Sequence, residues 1–219
     1  LAHSSADVRS NAAVFDAVRT TDGFALALDG AKPVRARRIV IATGARELLL
    51  PFPGWTLPNV FSAGGLQALV KSGFDVSGKR VVVAGSGPLL LPVAATLTRA
   101  GARVVTVAEA APLSALLRFS AGLAASPAKL VDAARYRLTF AGARYRTSTW
   151  ITDAEGDGCV RTVTLNDCRR IDVDAAAVAF GLVPNTDLAE LLGCAIDGGT
   201  ELVDPRQRTS IDGVFAAGE

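Results

Sequence analysis

The residues best suited to chemistry are Gly85-Ser86-Gly87-Pro88 and, 24 positions after Gly85, Glu109. The four-residue turn follows the apolar run Val81-Val82-Val83-Ala84 and opens the helix-forming stretch Leu89–Ala100. A glycine turn between a buried strand and a helix can hold a phosphate. Gly85 permits the tight turn, and Gly87 lets backbone approach a pyrophosphate lying on the helix N-terminus. Glu109 ends the next apolar run, Val104–Glu109, at the spacing of an acid that accepts from both ribose hydroxyls. A carboxylate there repels a 2′-phosphate and so favours NAD-like over NADP-like ligands. Two residues depart from the pattern. Leu90 occupies the third fingerprint position, where glycine or alanine is usual, and is expected to push the helix from the strand or crowd a ligand. Pro92 is tolerable only because it falls near the helix start. Two readings follow: a nucleotide-binding module, or one that keeps the fold and has lost tight binding.

Two weaker signals flank this one. Ile41-Ala42-Thr43-Gly44 is a strand ending in Thr-Gly, which brings backbone close to whatever lies above the sheet edge. Thr209 to Glu219 reads as a turn and short strand closing on Gly218-Glu219. Other chemistries lack material. His3 is the sole histidine, so a histidine metal site or triad cannot be assembled. Cys159, Cys168 and Cys194 stand singly and form no CxxC pair. The formal charge of +2 points to neither nucleic acid nor an anionic membrane, and no apolar run approaches the roughly 20 residues that span a bilayer. Arg46 and Lys71 read as solvated surface charge. Trp55 and Trp150 read as packing residues.

The elements that position these residues are readable from pattern. Strands at 13–19 and 24–28 join through Thr20–Gly23, and Val34–Arg37 leads into Ile39–Ala42, a small antiparallel meander feeding a buried strand. Pro51, Pro53, Gly54 and Pro58 make a stiff crossing segment. A helix is expected over 63–72, and strand, glycine turn, helix and strand over 78–109 form a βαβ unit, which implies a parallel sheet. Residues 113–142 read as two helices divided at Ser126-Pro127. Strands are then expected at 145–151, 160–165, 171–173 and 175–180.

In this order the segments resemble the two-dinucleotide flavoprotein oxidoreductases. In that family a strand ending Ala-Thr-Gly leaves an FAD domain for an inserted NAD(P) domain, and Ile41-Ala42-Thr43-Gly44 resembles that strand. The return resembles Gly181-Leu182-Val183-Pro184-Asn185, and Thr209 to Glu219 is similar to the flavin-binding segment, with Glu219 in place of its aspartate. Ala45-Arg46-Glu47, Pro51–Val60, Gly64–Lys71 and Gly85–Leu91 are further similar to one branch, the FAD-binding alpha subunits of opine oxidases, hydrogen cyanide synthase and dye-linked proline dehydrogenase. Leu90 is then a feature of that branch. The resemblance implies FAD in the parent protein, with Thr43, Gly44, Gly181, Gly218 and Glu219 near it, and NAD or an adenine nucleotide at Gly85–Glu109. It also implies a heteromeric partner dehydrogenase subunit, with this chain passing electrons in amine or amino-acid oxidation. The alternative is a non-catalytic module, its nucleotide site vestigial, that supports such a partner.

The fold class expected is α/β: a Rossmann-like three-layer NAD(P)-type domain over residues 52–178, flanked by partial FAD-type segments at 1–46 and 180–219 that pair with each other. No Gly-x-Gly-x-x-Gly precedes Ile39, and the chain starts at Leu1 without methionine. The expectation is therefore a piece of a larger oxidoreductase, inactive alone. Apolar surface left open by missing segments would promote a homodimer or aggregation. No signal peptide is visible, which makes the cytoplasm the default location.

Overall fold

The computed structural model describes residues 6–122 and 127–218. The chain divides into two compact units, Leu1–Arg46 with Leu182–Glu219, and Glu47–Gly181. The first unit opens with three antiparallel strands in sequence order: β1 (Val14–Thr20), β2 (Gly23–Leu28) and β3 (Ala31–Ala36). β4 (Ile39–Ile41) is the buried strand that the meander feeds, and β5 (Ala45–Glu47) carries the chain across.

In the second unit, β6 (Val60–Ser62) and α1 (Ala63–Lys71) lead to β7 (Arg80–Gly85), α2 (Leu90–Arg99) and β8 (Arg103–Glu109). This is the expected βαβ crossover, with β7 and β8 parallel. α2 stops at Gly101, which takes φ +87°, a left-handed geometry that suits glycine after a helix. α3 (Leu113–Gly122) and α4 (Pro127–Thr139) follow, then β9 (Arg144–Arg146). β10 (Ile151–Glu155), β11 (Thr162–Leu165) and β12 (Arg170–Asp172) form a small antiparallel sheet. β13 (Ala175–Ala179) returns to the parallel sheet, whose order is β6-β13-β7-β8-β9.

The unit is three-layered. On one face of the parallel sheet Leu66, Val93 and Leu97 from the helices pack with Val81, Val83 and Val107. On the other, Val82, Ala84 and Val178 meet Ile151, Val163 and Leu165 of the antiparallel sheet. A strand covered on both faces must be apolar throughout, which is why Val81–Ala84 is unbroken by a polar residue.

The chain re-enters the first unit through β14 (Leu182–Pro184), which pairs with β5. α5 (Asp187–Leu191), β15 (Ile196–Asp197) and β16 (Thr200–Glu201) follow, and β17 (Val214–Ala216) lies parallel to β4, Val214 opposite Ile39. Phe24, Ile39, Ile41, Ala189 and Val214 make the core. Val40, on the opposite face of β4, is 66% exposed, and Phe15 on β1 is 64% exposed.

Two sequence expectations are corrected. The strand expected at 145–151 is two strands in two sheets. Ser148, at φ +51°, turns the chain between them, and the Ser148 and Thr149 amides bond the carbonyls of Ala111 and Glu109. Leu90 does not obstruct the turn. It is wholly buried in the helix-side core, and α2 still packs on β7 and β8. The buried cluster it joins includes the small residues Ala94, Ala95, Ala177 and Ala179, which take up little of the core volume.

Candidate functional site

At the carboxyl ends of β7 and β8 the structure gathers Gly85, Ser86, Gly87, Pro88 and Glu109. Gly85 sits opposite Glu109 in register, and the Ala110 amide donates to the Gly85 carbonyl at 2.7 Å. Gly85 serves packing as much as turning. A Cβ there would lie 1.6 Å from the Ala179 carbonyl oxygen on β13. The Ser86 amide donates to that same oxygen at 2.7 Å, fixing the start of the loop. Gly87 is different in kind: φ is +99° and a Cβ would meet nothing within 4 Å. The space above it is open.

α2 begins with Leu89 as N-cap. No side chain caps it and its first turn carries no acid. The amide dipoles at this end are therefore not offset from within the helix, an arrangement that favours an anion. Glu109 is only 1% exposed. Its Oε2 and Oε1 accept from the Gly87 amide at 3.2 and 3.4 Å, and Oε1 accepts from the Ala111 amide at 2.9 Å. Sequence reasoning aims this carboxylate at a ribose; in the structure it is turned onto the loop. Burial pushes the Tyr145 phenol up to about 12, the Glu109 charge adds to that shift and Arg137 opposes it. Tyr145 is thus neutral across the physiological range.

Within the other unit, Thr43, Gly44 and Gly218 line a cavity of about 220 Å³ together with Gln207 and Glu201. Thr43 and Gly44 are locked by Asn185. The Thr43 hydroxyl donates to the Asn185 carbonyl at 2.8 Å, the Asn185 side-chain amide donates to the Thr43 carbonyl at 3.0 Å, and its backbone amide donates to the Gly44 carbonyl at 3.0 Å. Arg46 donates to Asn185 Oδ1 at 3.1 Å. Sequence reasoning did not single out Asn185 and Arg46 as site residues; the Pro184-Asn185 pair in the return segment was the available signal. Gly181 is not among the residues lining that cavity; its carbonyl accepts from the Leu48 amide at 2.9 Å. Glu219 and His3 lie outside the described residues.

A further cap was not anticipated. Glu47 accepts from the Gly64 and Gly65 amides at 3.0 and 3.1 Å, and Ser62 accepts from Gly65 at 3.1 Å, so the α1 N-terminus is filled by protein groups. The contrast with α2 is one of position: Glu47 sits on the first-turn amides of α1, whereas Glu109 bonds the loop before α2 at Gly87 and leaves the first turn without an acid. Among the described residues, no cluster of metal-ligating side chains is present and the three cysteines are free. No helix of the described residues is long and apolar enough to cross a membrane.

Comparison with known proteins agrees with this architecture. Residues 3–219 match the family model described as pyridine nucleotide-disulphide oxidoreductase. The chain is 33% identical over 203 residues to hydrogen cyanide synthase subunit HcnB of Pseudomonas protegens, covering 85% of this chain and 43% of that protein. It is 31% identical over 207 residues to an opine oxidase subunit of Rhizobium meliloti, covering 86% and 38% respectively. Among solved structures, the ferredoxin reductase for the CYP199A2 system from Rhodopseudomonas palustris superposes with a TM-score of 0.69 at 26% identity, covering 94% of this chain and 48% of that one. The chain thus spans about two fifths of the curated relatives it matches. The chain belongs to the pyridine nucleotide-disulphide oxidoreductase family.

Proposed function

We propose that this chain is the nucleotide-binding module, with part of the flavin-binding domain, of an FAD-dependent electron-transfer subunit. In this reading Glu47–Gly181 is the NAD(P)-type domain, and Leu1–Arg46 with Leu182–Glu219 belongs to the FAD-type domain. The observation that carries it is the α2 N-terminus: uncapped, acid-free and fronted by open space at Gly87. The loop and the α2 start would hold the phosphates of NAD or an adenine nucleotide, and Glu109 would accept from the ribose hydroxyls after releasing the Gly87 amide.

The flavin part rests on the pocket around Thr43, Gly44 and Gly218. About 220 Å³ is smaller than the roughly 300–1,000 Å³ of a complete ligand site, so it suits one segment of an FAD rather than the whole. The exposed Val40 face of the parallel pair β4–β17 points the same way. Parallel strands are usually covered on both faces, and among the described residues Val40 stays exposed. When bound, flavin supplies the redox chemistry, while the protein binds, orients and sets the local charge. Two relatives are described as subunits, of hydrogen cyanide synthase and of opine oxidase. By that likeness this chain works beside a partner dehydrogenase subunit that oxidises an amine or amino acid.

One observation favours a second reading, a module whose nucleotide site is vestigial. A buried carboxylate already holds the Gly87 amide, and a ligand must displace it. Calorimetric titration with NAD, NADP, ATP and FAD separates the two. Binding of NAD or ATP that Gly87→Trp abolishes and Glu109→Ala weakens supports the live site. No heat with any nucleotide supports the vestigial one.

A further inference from the structure

A groove of about 830 Å³ runs along the open flank of the parallel sheet, inside the unit Glu47–Gly181. Its walls are the start of β8, the edge strand β9, the turn after α4 and the edge strand β12. Arg103, Arg144, Arg146, Arg169 and Arg170 all line it. Two of these are already matched: Arg170 grips Glu155 at 3.0 and 2.7 Å, and Arg169 meets Asp167 at 3.4 Å. Among the described residues, Arg103, Arg144 and Arg146 have no ion pair and no side-chain hydrogen bond. Asp172, the one carboxylate in the lining, lies 3.8 Å from Arg80 instead.

The strand pattern explains why the three converge. Tyr145 packs into the helix-side core, so alternation sends Arg144 and Arg146 to the other face of β9. Val104 also faces the helix side, which turns Arg103 the same way. β9 pairs only with Thr106–Ala108, so Arg103–Val105 has no strand neighbour on that flank and the groove opens there. Like charges on neighbouring strand positions repel, and Arg146 is half-buried, where an unmatched charge costs more. The fold holds three cations in one lining with a single carboxylate, Asp172, among them, and pairs none of the three.

The geometry points to a binding site for a compact soluble oligoanion, a small molecule bearing two or more phosphate or carboxylate groups, separate from the Gly85–Glu109 loop. The groove is of small-molecule size, within the roughly 300–1,000 Å³ range. Guanidinium forks match both oxyanions in bidentate fashion. A polyanionic polymer fits less well, because a chain of net charge +2 lacks an extended basic field.

The test is titration calorimetry of the chain with inorganic tripolyphosphate and, separately, with citrate. The expected result is one-to-one binding of at least one of them, the preferred anion telling phosphate from carboxylate. The double variant Arg144→Ala/Arg146→Ala weakens it by about tenfold or more. Arg144→Lys/Arg146→Lys keeps the charge, loses the fork and falls between, which also serves if the alanine pair fails to fold. Arg118→Ala, on α3 outside the groove, leaves it unchanged. Absence of saturable binding, no loss in Arg144→Ala/Arg146→Ala, or an equal loss in Arg118→Ala overturns the assignment.

Discussion

Replacing Glu109 by alanine tests the loop geometry most directly. The carboxylate accepts from two backbone amides, Gly87 and Ala111. Hydrogen bonds to an ionised acceptor contribute about 1.5–3 kcal/mol each, and an amide left without a partner costs about 1–3 kcal/mol. Gly87 and Ala111 are both half-buried, so water reaches them in part and the lower ends of these ranges apply. The alanine variant should therefore lose about 2–3 kcal/mol of stability. Glu109→Gln retains Oε1 for Ala111 but turns an amino group on the Gly87 amide, and should lose about 1 kcal/mol. Trp55 and Trp150 both lie in Glu47–Gly181, so urea unfolding followed by tryptophan fluorescence reports on this unit. An alanine variant within about 0.5 kcal/mol of the parent, or a glutamine variant less stable than the alanine variant, would refute the hydrogen-bonded position of Glu109.

The two fingerprint glycines should separate. Gly85→Ala forces a Cβ to 1.6 Å from the Ala179 carbonyl and should unfold the second unit or cost it several kcal/mol, read by the same fluorescence transition. Gly87→Ala meets no atom and strains only φ, so it should remain folded, cost about 1 kcal/mol, and mainly weaken nucleotide binding in calorimetry. Leu90→Ala removes a fully buried side chain and should cost about 2–5 kcal/mol, with small loss expected only if the neighbouring alanines collapse into the space. Asp174 should contribute to acid sensitivity. It accepts from the Arg80 side chain and backbone amide, which hold its carboxyl below the ordinary value. Its folded pKa being depressed, this stabilisation is present above about pH 3.9 and lost as pH falls through the folded pKa. Asp174→Asn should flatten that part of the stability–pH curve, measured by thermal melts from pH 6 to 2; an unchanged curve would count against the ion pair.

The strand–turn–helix–strand core was legible because each of its parts leaves a local mark. Val81–Ala84 is continuous since β7 is buried on both faces, Gly85 and Gly87 punctuate the turn, and Gly101 ends the helix. The order of the sheet left no such mark. β13 inserts between β6 and β7 from about ninety residues further along, and nothing in Ala175–Ala179 specifies which parallel neighbours it takes. The false continuous strand at 145–151 has a similar origin. Residues either side of the break have strand character, but Arg144–Arg146 answers to β8 and Ile151 to β11. Local alternation carries no information about which sheet a residue joins.

The site was legible in its residue types and not in its state. Spacing brings Gly87 and Glu109 to one end of the sheet, because parallel strands joined by a helix must finish side by side. Whether a carboxylate there faces a ligand or its own loop depends on the rotamer it takes and on what else is buried beside it. Tyr145, arriving from β9, shares that environment with Glu109, and no spacing rule within the fingerprint includes it. The third fingerprint position teaches the converse. A small residue is usual there because helix and strand approach closely, yet a leucine fits when the facing residues shrink. Ala177 and Ala179 of β13, about ninety residues further along the chain, lie in the same buried cluster as Leu90 and are small enough for that exchange. A motif position therefore constrains the summed volume at a contact, not the identity of one residue, and a departure from it weighs against function only when its partners have not changed with it.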